Sequence, residues 1–299
     1  MKMKGGVQRR LCSPSGLIAV SVIGGILFGF PGRSAMGQKA GNTGHAVENF
    51  DRGRFERSTV IDNRWFPQKP GTRLVYKGFV QEDKDRVPHQ VVSTVTGLIK
   101  TIDGVSAVVV WEQDIKRGTL QEEEIVFYAQ DNSGNVWHLG QLREAYDDQG
   151  DYLGAMAWVA GAEGAKAGII MQGAPKMGTA SYSQGYAPPP FNRTDRGKVD
   201  QMGQSTCIAS GCHKDVVVIA ESSEKEGPEA VQMKHYAPGV GYIRMTWKGN
   251  PERVRETLEL AEIVQLTPVD LTKANEAALQ LEKRAYVYGR TQPAEAKAP

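Results

Sequence analysis

From Thr72 onward, apolar and polar positions alternate with a period of two, which predicts β-strands. Leu74, Tyr76 and Phe79 fall in a first strand. Residues 90–102 (QVVSTVTGLIKTI) and 105–115 (VSAVVVWEQDI) are rich in β-branched residues and flank Asp103-Gly104, a two-residue hairpin signal. Lys116-Arg117-Gly118 turns the chain into residues 122–142 (EEEIVFYAQDNSGNVWHLGQL), which read as one long hairpin around Asp131–Asn135. Further strands are expected near residues 152–159, 181–186, 216–220, 231–236, 242–247 and 254–264. Residues 160–178, rich in Ala and Gly, read as a long loop. From Pro268 the period changes. Asp270 or Thr272 can cap a helix, and Leu271, Ala274, Ala278, Leu281 and Ala285 recur at helical spacing up to Tyr288, before Gly289.

This pattern predicts a mainly β protein: one large curved antiparallel sheet, half-barrel or barrel-like, with a short C-terminal helix. The division expected is a signal peptide over residues 1–37, a flexible leader over 38–60, a β domain over 61–267, and a helix with a disordered tail over 268–299. Trp65-Phe66-Pro67 is expected to plug one end of the sheet.

The first segment sets the compartment. Lys2, Lys4, Arg9 and Arg10 precede an apolar run over residues 17–30, and Pro31-Gly32 and Ala35-Met36-Gly37 follow it, the layout of a signal peptide cut after Gly37. The run is short for a membrane span, so contact with a membrane would come through an uncleaved signal only. Loss of these residues removes five bases and no acid, and turns the formal charge from +2 to −3. A chain of that charge lacks the electrostatic footprint of a nucleic-acid binder. It keeps two cysteines, Cys207 and Cys212, in a compartment where disulfides persist.

The Trp65-Phe66-Pro67 and Pro70-Gly71-Thr72 segments, Tyr128-Ala129-Gln130-Asp131, Gly134-Asn135-Val136-Trp137 and Tyr236-Ala237-Pro238-Gly239-Val240-Gly241 together resemble a family of exported bacterial proteins of unknown function. The resemblance implies a strongly curved antiparallel sheet and brings no activity with it. The chain departs from the family's pattern at His235, where an aromatic is usual, and at Ala209-Ser210-Gly211, which two cysteines flank here.

Cys207 to His213 (CIASGCH) is the sharpest local feature. A disulfide between Cys207 and Cys212 would close a short loop. Attachment of a c-type haem, with His213 as axial ligand, is the alternative, at a wider spacing than the usual Cys-x-x-Cys-His. A metal site from the same three residues would lack an evident fourth ligand. Asp131, Ser133 and Asn135 are spaced like the start of a calcium loop, but a hairpin turn accounts for them. Asp147, Asp148 and Asp151 read as a solvated turn, and Glu122-Glu123-Glu124 as a solvated edge that discourages strand addition. His138 and His235 would adjoin if their strands are neighbours. No nucleophile elbow, zinc-protease or phosphate-loop motif is present.

The function expected is that of a non-catalytic envelope protein. It would hold an apolar, lipid-like ligand on a face lined by Trp111, Trp137, Trp158 and Trp247, or dock an envelope protein. A haem c electron carrier and an unrecognised hydrolase are the alternatives.

Overall fold

The computed structural model describes residues 46–82, 85–224, 230–249, 254–285 and 290–297. The segment 1–37 and the proposed helix end at Tyr288–Gly289 lie outside the described residues. No described helix is long and apolar enough to cross a membrane.

Consecutive hairpins build the first half of the sheet: β1 (Thr72–Glu82), β2 (Asp85–Ile102), β3 (Val105–Lys116), β4 (Thr119–Gln130), β5 (Val136–Tyr146) and β6 (Tyr152–Val159). Two of the turns have positive φ at both central residues, Asp103-Gly104 and Arg117-Gly118. That geometry matches the right-handed twist of the flanking strands and holds their register. The second half comprises β7 (Gly168–Met171), β8 (Tyr182–Ser183), β9 (Arg196–Ile208), β10 (Gly211–Ser222), β11 (Val231–Ala237), β12 (Gly241–Lys248) and β13 (Val254–Gln265). β13 lies against β1 and joins the halves, so the order runs β6-β5-β4-β3-β2-β1-β13-β12-β11-β10-β9-β8, antiparallel and not closed. The helix α1 (Pro268–Arg284) starts at Thr267, whose side chain accepts from the Asp270 amide, with Pro268 at its first turn.

Each strand presents one side to the inside of the curve and the other to a second core. On β3, Val108 and Val110 join the inner apolar cluster, whereas Ala107 and Val109 join an outer one with Ala278 and Leu281 of α1. The curl is tight: Tyr128 of β4 and Tyr236 of β11 both pack on Phe66, at 5.1 and 6.2 Å between ring centroids. Five strands separate β4 from β11 in the sheet order.

Several segments depart from the sequence reading. β9 was not expected, because its only buried apolar side chains are Val199 and Ile208, set among exposed polar residues. The apolar run inside residues 160–178 is strand β7, paired with β5, and not loop. Part of the expected flexible leader is ordered: Phe50 and Phe55 pack on Trp137, and Glu48 accepts from the Ser183 amide. Part of the expected disordered tail is ordered as well. β14 (Glu295–Ala296) pairs with β2, and Ala294 is buried.

Candidate functional site

Inner positions of β2, β3, β4, β5, β11 and β13 carry polar groups where the period calls for more core. Beyond Val108 and Val110, β3 places Glu112 and Asp114 on the same side. β4 places Glu122 and Glu124 opposite them, in the pairs Glu112↔Glu124 and Asp114↔Glu122. All four are buried, which corrects the reading of Glu122-Glu123-Glu124 as a solvated edge. β4 is an interior strand between β3 and β5, so water reaches neither Glu122 nor Glu124.

The bases meet these acids from neighbouring strands. Arg143 of β5 lies 3.3 Å from Glu122 and 2.7 Å from Glu124, and Gln141 donates to Glu124 at 2.5 Å. Lys234 of β11 lies 2.5 Å from Glu221 of β10, which also accepts from Gln184 at 2.7 Å. Arg193 pairs with Asp195 at 3.0 Å. At the far end His89 of β2 lies 2.7 Å from both Asp114 and Glu256. Among the described residues, seven buried carboxyls (Glu112, Asp114, Glu122, Glu124, Asp195, Glu221, Glu256) thus face four bases (His89, Arg143, Arg193, Lys234), an excess of three acids.

Protons absorb part of that excess. Burial, with the charge of Glu124 added, pushes the Glu112 carboxyl up to about 8, against the pull of Ser93, which donates at 2.7 Å. Burial holds Glu122 well above the carboxylate range despite Arg143. Asp114 is raised to about 6 by burial, against the pull of His89. His89 goes the other way: burial would lower it, but Glu256 and Asp114 raise it to about 10, so it is an imidazolium at neutral pH. The donor set His89, Asp114 and Glu256 spans no more than 4.8 Å, close enough to hold a metal ion.

Beside this network the inner face is apolar and filled. Phe66, Tyr76, Tyr128, Tyr236 and Tyr242 pack together, and Gly239 donates to Arg64 O at 2.7 Å to fix the plug against the β11–β12 turn. The cavity left, bordered by these rings with Glu112 and Lys234, measures about 40 Å³. That is room for a few waters, well short of the ~300 Å³ at which ligand pockets begin.

The structure scatters the remaining candidates. Cys207 and Cys212 stand opposite each other in the β9–β10 hairpin and form a disulfide. His213 follows on β10, opposite Thr206. The four tryptophans do not share a face, because their strand positions differ in parity and two lie near strand ends. Trp111 donates to Glu123 and Trp137 to Asp131, both at 3.0 Å on the outer side. Trp158 packs on Phe191 and on His138, and Trp247 donates to the Glu256 carbonyl at 2.6 Å. His138 sits against Tyr128 and Trp158, while His235 bonds Thr206, so the two do not pair. Asp131 accepts from the Ser133 and Asn135 amides, and Asp147 from those of Gln149 and Asp151, as turn residues do.

The parity of Glu112 and Asp114 with Val108 and Val110, and of Glu122 and Glu124 with Val126 and Tyr128, was the available signal for the network. A strand's inward side is expected to be apolar, and that expectation hid it.

Fold and interior together define one open antiparallel β half-barrel with a charged core. No known family model matches the chain, and no curated protein matches it. Among solved structures it is similar to a protein assigned as a lipoprotein in Parabacteroides distasonis ATCC 8503. The identity is 15%, the match covers 68% of this chain and 100% of that one, and the TM-score is 0.37. It is also similar to a protein assigned as exported, with a YmcC-like fold, from Bacteroides fragilis NCTC 9343. There the identity is 10%, the coverage 68% and 99%, and the TM-score 0.33. Likeness at this level fixes no function.

Proposed function

We propose that this is a non-catalytic protein of the cell envelope that docks another envelope polypeptide by adding its strand to the free edge of β6. Export rests on the signal-like segment 1–37, and the Cys207–Cys212 disulfide suits an oxidising compartment. The filled inner face supports docking over the carriage of a lipid-like ligand, since about 40 Å³ would not hold one.

The observation that carries the reading is the contrast between the two ends of the sheet. β8, at one end, is only Tyr182–Ser183, and a short edge resists unwanted pairing. β6, at the other end, pairs among the described residues with β5 alone. Its eight residues (YLGAMAWV) hold no charge, and Tyr152 and Leu153 are exposed at 60% and 47%. A row of open backbone groups flanked by apolar side chains is a template for strand addition. The preceding turn carries Asp148 and Asp151, so the partner strand is apolar with a basic residue at the end that meets them.

A photo-crosslinking residue in place of Tyr152, activated in growing cells, tests this. One discrete adduct with another envelope protein is expected. Ala155→Lys should weaken it, and the same probe at Ile263, exposed on the interior strand β13, should not give it. No adduct, an equal adduct from Ile263, or a band at twice the chain's mass would overturn the reading.

A further inference from the structure

We infer that His89, Asp114 and Glu256 form a binding site for one divalent transition-metal ion inside the half-barrel. Three strands bring the residues together: His89 from β2, Asp114 from β3 and Glu256 from β13. The pairing fixes their relative positions. His89 is two places before Val91, which faces Tyr76, and Glu256 faces Val80 on the same side of β1. All three are at most 8% exposed, and Glu256 is fully buried.

The first argument is the state of the donor atoms. Both carboxylate oxygens of Glu256, Asp114 Oδ2 and His89 Nδ1 are buried without a hydrogen-bond partner. Nδ1 lies 2.7 Å from Glu256 Oε1, an ion-pair contact. Glu256 Oε2 and Asp114 Oδ2 meet no donor, and a buried polar atom left so costs about 1–3 kcal/mol. Carboxylate oxygens left without a donor beside an imidazole are lone pairs that a cation can take up.

The second argument is charge. The interior holds three more acids than bases, and a divalent ion that displaces the His89 proton adds one net positive charge against that excess. The third is the donor set. One imidazole nitrogen, one oxygen of Asp114 and both oxygens of Glu256 make four donor atoms from three residues. Mixed N/O coordination suits Zn²⁺ or Mn²⁺, whereas Ca²⁺ and Mg²⁺ favour all-oxygen sets. The ion takes a lone pair on a His89 ring nitrogen, and the proton held there passes to solvent.

The test uses the full mature chain, stripped with chelator, incubated separately with Zn²⁺, Mn²⁺, Mg²⁺ and Ca²⁺, desalted, and assayed for metal by mass spectrometry. About one equivalent of Zn²⁺ or Mn²⁺ should remain, with little Mg²⁺ or Ca²⁺. His89→Gln and Glu256→Gln should each bind at least tenfold more weakly, while His213→Gln should bind as the parent does. If either site variant fails to fold, the visible spectrum of the Co²⁺-loaded parent decides: d–d bands without a sulfur charge-transfer band are expected. Retention of no ion, equal retention by a folded His89→Gln or Glu256→Gln chain, or Co²⁺ without d–d bands would overturn the site.

Discussion

Glu112 on β3 and Glu124 on β4 stand directly opposite each other across the ladder, both buried. Like charges in that relation repel, and here no bulk water screens them. Burial first, and then the charge of Glu124, raise the Glu112 carboxyl to about 8, and the proton it holds relieves the conflict.

That raised value has a consequence for stability. Between the ordinary carboxyl value of 4.5 and about 8, the folded chain holds a proton that the unfolded chain has lost. The contribution is full below that window and falls as pH rises through it, by about 1.4 kcal/mol per pH unit for one proton. Glu112→Gln mimics the protonated form. Urea titrations from pH 5 to pH 9 should show the parent losing stability relative to the variant as pH rises. Parallel profiles would remove the assignment.

Arg143, like His89, meets two buried acids, here Glu122 and Glu124. Arg143→Met keeps bulk but strands two buried acids. Loss of one partner of a buried pair costs about 3–5 kcal/mol. Arg143→Met combined with Glu124→Gln should recover part of that loss, as a double-mutant cycle in urea would show.

The disulfide should matter far less. Cys207 and Cys212 are five residues apart in a hairpin whose strands already pair. A loop that short contributes about 2 kcal/mol at most by the chain-entropy argument. The Cys207→Ser/Cys212→Ser chain should fold with a midpoint only slightly lower. The unfolded, unreduced mature chain should show no free thiol to titration, and its visible spectrum no Soret band.

Much of the fold was legible because its signals are local. Asp103-Gly104 and Lys116-Arg117-Gly118 mark hairpins by turn chemistry, and the alternation on either side sets which side chains face inward. β9 was hidden because a strand with two buried apolar residues has too little contrast to reveal a period. The pairing of β14 with β2 was hidden because it depends on a strand almost two hundred positions earlier. The charged interior was hidden for a different reason. Glu122 and Glu124 look solvated until β5 and β3 are known to cover both sides of β4, and only then does Arg143 come within reach. The edge at β6 was visible only as an uncharged stretch. That it lies at the end of the sheet is a property of the whole topology.

Docking at that edge is tested most directly by amide hydrogen exchange over residues 152–156, compared between the purified chain and the chain in isolated cell envelopes. Alternate β6 amides that face away from β5 should exchange quickly in the purified protein and be protected at least tenfold in the envelope, with β1 and β2 unchanged. Equal exchange of residues 152–156 in the two settings would contradict strand addition at β6.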